Sequence, residues 1–132
     1  MGLPMSPSNR QKTSMRSWRR LTLLTAIAAT LTGIGIVARA LSNGGVGDVG
    51  SSDSGALSYS AVQGQVKANR LVMIRWGWTS GGGHMLVLRG YNTSGSQVSY
   101  VNPLLSGYQS DAYTFMVKSS RHTWANSRYN IS

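Results

Sequence analysis

A histidine that follows three glycines is the residue of this chain best suited to acid–base chemistry. His84 comes directly after Gly81–Gly83 and opens the apolar stretch HMLVLRGY. Because glycine has no Cβ atom, the backbone before the ring leaves the imidazole accessible. A neutral imidazole acts as a general base when one nitrogen faces the substrate and a partner holds the other. At this point two interpretations of His84 are open: a general base, or a turn histidine that hydrogen-bonds a carbonyl.

The stretch VSYVN supplies an orienting partner for that histidine. It ends at Asn102, because Pro103 has no N–H with which to continue a strand. In an antiparallel meander, the start of one strand lies beside the end of the next. We therefore expect His84 and Asn102 to be neighbours. The Asn102 side-chain oxygen would accept a hydrogen bond from the imidazole N–H and fix its tautomer.

Short Gly-rich turns separate the segments that position these two residues. A short helix is predicted within residues 56–70, with Ser58 or Ser60 as its cap and Asn69 as its stop. The apolar patterns predict strands over residues 71–78, 84–91, 98–102 and 112–117. The closing segment RHTWANSRYNI is expected to form a turn and an edge strand. These elements predict an α+β fold built on an antiparallel β-meander.

The N-terminal third of the chain has a different character. Five basic residues precede an uncharged apolar run over residues 21–38. The run ends at the small residue Ala38, and a second small residue, Ala40, lies two positions further on. This order predicts that residues 1–40 are a secretory signal cleaved after Ala40, or an uncleaved membrane anchor. Residues 41–55 are rich in Gly and Ser and are predicted to be a disordered linker. The remaining domain, residues 56–132, is expected outside the cell, secreted or membrane-anchored.

The stretches GGGHMLVLRGY and YVNPL, after the strand RWGW, resemble the C-terminal half of papain-like cysteine peptidases, especially the secreted, staphopain-like bacterial branches. The resemblance covers residues 59–131. It implies that His84 is the general base, that Asn102 orients it, and that the domain is the β half of that fold. It also implies that the substrate is a peptide or protein.

The chain departs from that family in one respect, since it contains no cysteine. A triad without its nucleophile cannot form the covalent intermediate. We do not expect Ser58, Ser60 or Thr79 to replace the thiol, because a hydroxyl needs a matched helix position and an oxyanion hole. The chain is therefore expected to be truncated or inactive alone, and to hydrolyse peptide bonds only if another chain supplies the Cys half.

Other classes of function find less support in the residues. The net charge is +10, yet the basic residues of the C-terminal part are scattered singly, which argues against a nucleic-acid partner. Two histidines and three separated aspartates do not form a metal-ligand pattern, and no cofactor motif is present. His122 is predicted to lie on the surface. Trp76, Trp78 and Trp124 are predicted to lie in the core.

Two alternatives to the peptidase hypothesis remain open at this stage. One is a small secreted β-rich module that binds peptide or cell-wall polymer in a cleft around Trp76, Trp78 and His84. The other is a membrane-anchored protein tethered through residues 21–38, which would be its only contact with a membrane.

Overall fold

The computed structural model describes residue 21, residues 23–26 and residues 37–132. Most of the predicted signal or anchor segment therefore lies outside the described residues. Residues 37–132 contain three helices and six strands. The helices are α1 (Val37–Asn43), α2 (Tyr59–Lys67) and α3 (Tyr113–Val117). The strands are β1 (Ser51–Ser54), β2 (Val72–Trp78), β3 (Gly83–Asn92), β4 (Gln97–Val101), β5 (Gln109–Ala112) and β6 (His122–Tyr129).

The six strands form one antiparallel sheet in the order β1-β6-β2-β3-β4-β5. Strands β2 to β5 follow one another as a meander; the first three are as the sequence predicts, whereas β5 lies in a segment that was expected to be mainly loop. Strand β6 then returns across the sheet and pairs with both β1 and β2. The prediction of an α+β fold with an antiparallel meander is confirmed at this level. The prediction that the closing segment is an edge strand is wrong, because β6 has a neighbour on each side.

Helix α2 forms where the apolar spacing predicts a helix. The Ser58 hydroxyl accepts a hydrogen bond from the Ala61 N–H at 3.0 Å and so caps its first turn. Val62 and Val66, one turn apart, are both buried against the sheet. The chain leaves the helix at Asn69, whose φ of 62° is left-handed, a conformation that asparagine tolerates better than most residues. The predicted Ser cap and Asn stop are both confirmed.

Each face of the sheet is covered. On one face, Ile74 of β2 and Leu86 of β3 are opposite each other and pack with α2 and α3. On the other face, Met73 and its partner Val87 belong to a second buried cluster. That second cluster is completed by residues from both ends of the described chain: Leu21, Leu24, Leu41, Val46 and Ile131. Residues on both sides of the predicted cleavage point, which falls within α1, thus contribute to one apolar core.

None of the helices in the described part of the chain is long and apolar enough to cross a membrane.

Two predicted segments have a different structure from the one expected. Residues 112–117 were expected to form a strand, but β5 ends at Ala112 and α3 follows. The sequence AYTFMV alternates apolar and polar residues, yet Tyr113 and Met116 also lie three apart, which places them on one side of a helix. Met116 is fully buried, and the Tyr113 hydroxyl donates to the Leu57 carbonyl at 2.8 Å. These tertiary contacts favour the helix.

Part of residues 41–55, the segment predicted to be a disordered linker, is in the sheet as β1. Ser51–Ser54 pair in register with Asn126–Tyr129. Before that strand, Asp48 and Ser132 exchange two backbone hydrogen bonds of 2.8 and 2.9 Å. The side chains of β1 are exposed, so it is held by its backbone and not by apolar burial. This is why a segment of small polar residues gives no apolar signal for a strand.

Gly50, at the start of β1, provides a test of that pairing. It has a φ of 76°, and a Cβ atom there would lie 1.9 Å from the Tyr129 carbonyl oxygen. We expect Gly50→Ala to lower the free energy of unfolding by more than about 2 kcal/mol, since left-handed strain is compounded by a backbone clash. For a domain of this size, thermal denaturation should show a fall in Tm of roughly 8 °C or more.

Gly55→Ala is the matched control for this prediction. Gly55 has a similar φ of 84°, but a Cβ atom there meets nothing within 4 Å. The Gly55→Ala variant should therefore lose only about 1 kcal/mol of its free energy of unfolding, from left-handed backbone strain. Equal melting temperatures for the two variants would show that residues 48–54 do not pair with β6 in solution.

Candidate active site

His84 is the second residue of β3 and lies directly opposite Trp76 of β2. Its side chain is buried, with 8% of its surface exposed. The imidazole Nε2 lies 2.8 Å from the Asn102 Oδ1. Val87 pairs with Val101 across β3 and β4, so Asn102, the next residue, lies beside the beginning of β3. The predicted proximity of His84 and Asn102 is confirmed, while the roles assigned to them stay predictions.

The turn that follows β4 holds the Asn102 side chain in place. Its Oδ1 also accepts a hydrogen bond from the Leu104 N–H at 3.0 Å, and its backbone carbonyl accepts one from the Leu105 N–H at 3.0 Å. A backbone N–H can only donate, so the amide atom that faces it must be the oxygen. The same oxygen faces His84, and therefore the imidazole Nε2 carries the proton.

This tautomer leaves the other ring nitrogen of His84 as the basic atom. In the described part of the chain, Nδ1 makes no hydrogen bond to a side chain or to the backbone. A neutral imidazole with Nε2–H held by an amide oxygen presents the Nδ1 lone pair to an incoming proton donor. The arrangement is suited to accept a proton at Nδ1 and to return it there.

Two tryptophans of β2 restrict the imidazole ring. The Trp78 ring is nearly parallel to that of His84, with centroids 5.8 Å apart and planes at 15°. The Trp76 ring lies 6.5 Å from the imidazole at a tilt of 53°. Trp76 is itself fixed, because its indole N–H donates to the Met116 carbonyl at 3.0 Å. Aromatic packing and one hydrogen bond thus hold the His84 ring in a single orientation.

The glycines before His84 allow a tight turn and leave room for the side chain of Arg75. Gly81 and Gly82 have positive φ values of 103° and 79° and form the tight turn from β2 to β3. A Cβ atom on Gly83 would lie 2.3 Å from the Nε of Arg75, so the missing side chain leaves room for an arginine. The expectation that these glycines also leave the imidazole accessible to an incoming group stays a prediction.

The second histidine has a different environment from the one predicted. His122 is 2% exposed, so the expectation that it lies on the surface is wrong. Its Nε2 lies 2.9 Å from the Phe115 carbonyl and its Nδ1 lies 2.9 Å from the Ser119 hydroxyl. Its ring stacks on Trp76 with centroids 3.7 Å apart and planes at 12°. His122 and Trp124 alternate along β6 and so share a face, a period-two signal that could have revealed the burial.

The hydrogen bonds of His122 define its tautomer and exclude it as a base. A carbonyl only accepts, so Nε2 donates to Phe115, and Nδ1 then accepts from the Ser119 hydroxyl. Both ring nitrogens are therefore occupied by the fold. His122 has a structural role in which it joins α3 and the turn after it to β6. Of the two histidines, only His84 keeps a nitrogen for chemistry.

Two of the three hydroxyl groups considered as substitutes for a thiol, those of Ser58 and Thr79, have other partners. Ser58 caps α2, and the Thr79 hydroxyl lies 3.3 Å from the Arg121 carbonyl, to which it donates. Neither is hydrogen-bonded to His84. Among the described residues, no group of three or more His, Asp or Glu side chains could hold a metal ion.

Tyr100 of β4 belongs to the same buried cluster as Trp76, and its ring packs against the Trp76 ring. Its ring centroid lies 6.1 Å from that of Trp76, and its hydroxyl donates to Asp111 Oδ2 at 2.5 Å. Burial is the largest cause of a raised Tyr100 pKa, and the hydrogen bond to Asp111 and the negative charge of that carboxylate raise it further.

We compared the chain with protein-family models, with curated proteins and with solved structures, and none of the three comparisons finds a match.

Asn102→Ala should change the tautomer of His84. In the wild-type chain, we expect ¹⁵N NMR of the imidazole to show the Nε2–H form, because the Asn102 oxygen accepts that proton. Without the acceptor, the two neutral tautomers should become comparably populated. The matched control is Asn92→Ala. The Asn92 side-chain oxygen also accepts a hydrogen bond from a backbone N–H two residues later, that of Ser94 at 2.9 Å, but it is not bonded to a histidine. A wild-type His84 protonated at Nδ1 would contradict the geometry.

Tyr100→Phe should reduce the loss of stability at alkaline pH. The folded state holds the Tyr100 proton more tightly than the unfolded state, so its contribution to stability is fully present below about pH 10 and falls as the pH rises further. Urea unfolding at pH 9 and at pH 11 measures this difference. The wild type should lose more stability between the two than Tyr100→Phe does. Tyr108→Phe, at an exposed position, should behave as wild type.

Proposed function

We propose that this chain supplies the His/Asn half of a papain-like cysteine peptidase active site, and that another chain supplies the nucleophilic thiol. The observation that carries the proposal is the 2.8 Å hydrogen bond between His84 and Asn102. The Leu104 N–H supports it by fixing the orientation of the amide. A histidine with its tautomer held in this way and Nδ1 left available is what thiol activation requires.

The fold is in keeping with this proposal. The meander from β2 to β5 brings the start of the His84 strand beside the end of the Asn102 strand. We take the sheet and α2 to correspond to the β half of the papain-like fold. Residues 1–40, with basic residues before an apolar run, support export of the chain, so the proposed location is outside the cell.

The proposed reaction assigns one proton path to His84. The imidazole Nδ1 accepts the proton of the partner's thiol, and the thiolate attacks the carbonyl carbon of a peptide bond. The imidazolium then returns that proton to the leaving amine as the C–N bond breaks. In the second half, Nδ1 takes a proton from water and the resulting hydroxide attacks the thioester carbonyl. The C–S bond then breaks to release the carboxylic acid, and the imidazolium returns its proton to the departing thiolate. The Asn102 oxygen accepts from Nε2–H throughout and keeps the ring in place.

Complementation tests the proposal. The full chain is added to culture fluid and lysate of the organism that encodes it, and hydrolysis of a fluorogenic peptide mixture is measured. We expect a peptidase activity that neither component shows alone. Treatment of the fraction with iodoacetamide before mixing should abolish it, since the nucleophile is a thiol. His84→Ala should lower the gain at least about 100-fold and Asn102→Ala about 10-fold, as expected when a general base is lost or misoriented.

Two controls make the outcome decisive. Asn92→Ala alters an asparagine with a similar local turn and should leave the gain in activity unchanged. His84→Gln keeps a polar side chain of similar size, and should be as inactive as His84→Ala while melting like the wild type. The proposal fails if no gain appears, if His84→Ala complements as well as the wild type, or if iodoacetamide has no effect.

A further inference from the structure

An exposed apolar surface borders the proposed site. Leu104 and Leu105, in the loop directly after Asn102, are 76% and 54% exposed. Phe115 of α3 is 41% exposed, and its ring lies 6.1 Å from that of Trp76. Trp78, which is half-buried, stacks on His84. We call Leu104, Leu105, Phe115 and Trp78 the apolar rim. Large apolar side chains grouped around a polar centre are typical of a binding surface.

The charges beside the apolar rim are positive. Lys118 and Arg121 are exposed on the turn that joins α3 to β6. The Thr79 N–H donates to the Arg121 carbonyl at 2.9 Å, so this turn lies against the residue that follows Trp78. A ligand that covers the apolar rim therefore meets two cations at its edge.

The three acidic side chains of the chain are hydrogen-bonded to groups other than Lys118 and Arg121. The whole sequence has only three Asp and Glu residues. The Asp48 carboxylate accepts from the Gly50 N–H, and Asp53 accepts from the Tyr129 hydroxyl on β6. Asp111, on the edge strand β5, accepts from the Tyr100 hydroxyl. The carboxylates that would complement Lys118 and Arg121 must therefore come from another molecule.

We propose that the apolar rim, with Lys118 and Arg121, binds an acidic polypeptide segment that carries apolar side chains. This inference rests on the proposed function, because it names the class of peptide that is brought to His84. Its leucine or phenylalanine side chains pack on Leu104, Leu105 and Phe115. Its carboxylates lie beside the two cations, where charge complementarity favours them over a basic segment.

The charge distribution excludes the two occupants that the chain itself offers. A second copy would meet this surface with the same cations, because a two-fold contact places the same patch on both sides. Residues 1–40 carry Arg10, Lys12, Arg16, Arg19, Arg20 and Arg39 and no acidic residue, so the chain's own N-terminus is repelled as well. An acidic segment of a different protein is the occupant that satisfies both the apolar and the charged parts of the surface.

A polypeptide also fits this surface better than a nucleic acid does. Nucleic acids are held by stripes of cations that neutralise several phosphates, whereas two cations border the apolar rim here. The two exposed leucines offer nothing to a phosphate but pack well against aliphatic and aromatic side chains.

Binding of three matched synthetic peptides tests the inference. The first alternates Asp and Glu with Leu and Phe, the second replaces each acid with Lys, and the third replaces each apolar residue with Ser. Tryptophan fluorescence and NMR of the full chain give the Kd and the residues affected. We expect the first peptide to bind at least about 10-fold more tightly than either of the others. We also expect it to shift the signals of Trp78 and Leu104, and its Kd to rise with salt.

Substitutions at the surface should weaken that binding selectively. The double variants Leu104→Ser with Leu105→Ser and Lys118→Glu with Arg121→Glu should each raise the Kd for the acidic peptide about 10-fold or more. Lys67→Glu is the matched control, because Lys67 is exposed at the end of α2 near the start of β2, away from Trp78, and should leave the Kd unchanged. All these side chains are exposed, so each variant should melt like the wild type.

The outcomes separate this inference from the proposed function. Binding of the acidic peptide that survives His84→Ala, in a chain that never gains peptidase activity, supports the inference and overturns the peptidase proposal. A gain of peptidase activity on complementation, with no preference for the acidic peptide, supports the peptidase proposal and overturns the inference. The inference is also overturned if the rim variants bind as the wild type does, if an oligonucleotide or anionic vesicles bind more tightly than the acidic peptide, or if Leu104 and Leu105 prove to be buried between two copies of the chain.

Discussion

Trp76 and His122 stack face to face, with ring centroids 3.7 Å apart, and the surroundings of the site are organised around this contact. The indole N–H donates to the Met116 carbonyl, while the His122 ring bonds to the Phe115 carbonyl and the Ser119 hydroxyl. The stack therefore links the central strand β2 to α3, to the turn after it and to β6. Trp76 also lies opposite His84 across β2 and β3, so the orientation of the His84 imidazole depends on the packing of Trp76 against His122.

The two histidines show how one side chain serves two purposes according to its partners. His122 uses both ring nitrogens within the fold, and its burial costs little because each nitrogen is hydrogen-bonded. His84 uses only Nε2, which Asn102 holds, so it retains a nitrogen for an incoming group. Among the described residues, His84 differs from His122 in that one of its ring nitrogens makes no hydrogen bond within the fold.

The parts of the fold that could be predicted are those in which side chains carry the signal. Apolar stretches bounded by short turns predict β2, β3 and β4, and this order predicts the meeting of His84 with Asn102. Strand β1 could not be predicted, because its exposed Ser and Asp residues bury no apolar surface and pair with β6 mainly through the backbone. Helix α3 could not be told from a strand, because AYTFMV satisfies both periods and tertiary contacts decide between them. The alternation of His122 with Trp124 indicates that His122 is buried, but the sequence does not show that a backbone carbonyl and a serine hydroxyl would bind its ring.

The place of β6 in the sheet has a consequence for how the protein is made. Strand β6 lies between β1 and β2 but follows every other strand in the chain. During synthesis β2 to β5 can begin to pair as neighbours, while β1 must wait for a partner that emerges last. The sheet is therefore completed through long-range contacts, which form slowly. A chain whose sheet is completed late stays open for longer after it leaves the ribosome, and during that time its unpaired strand edges are exposed to other chains.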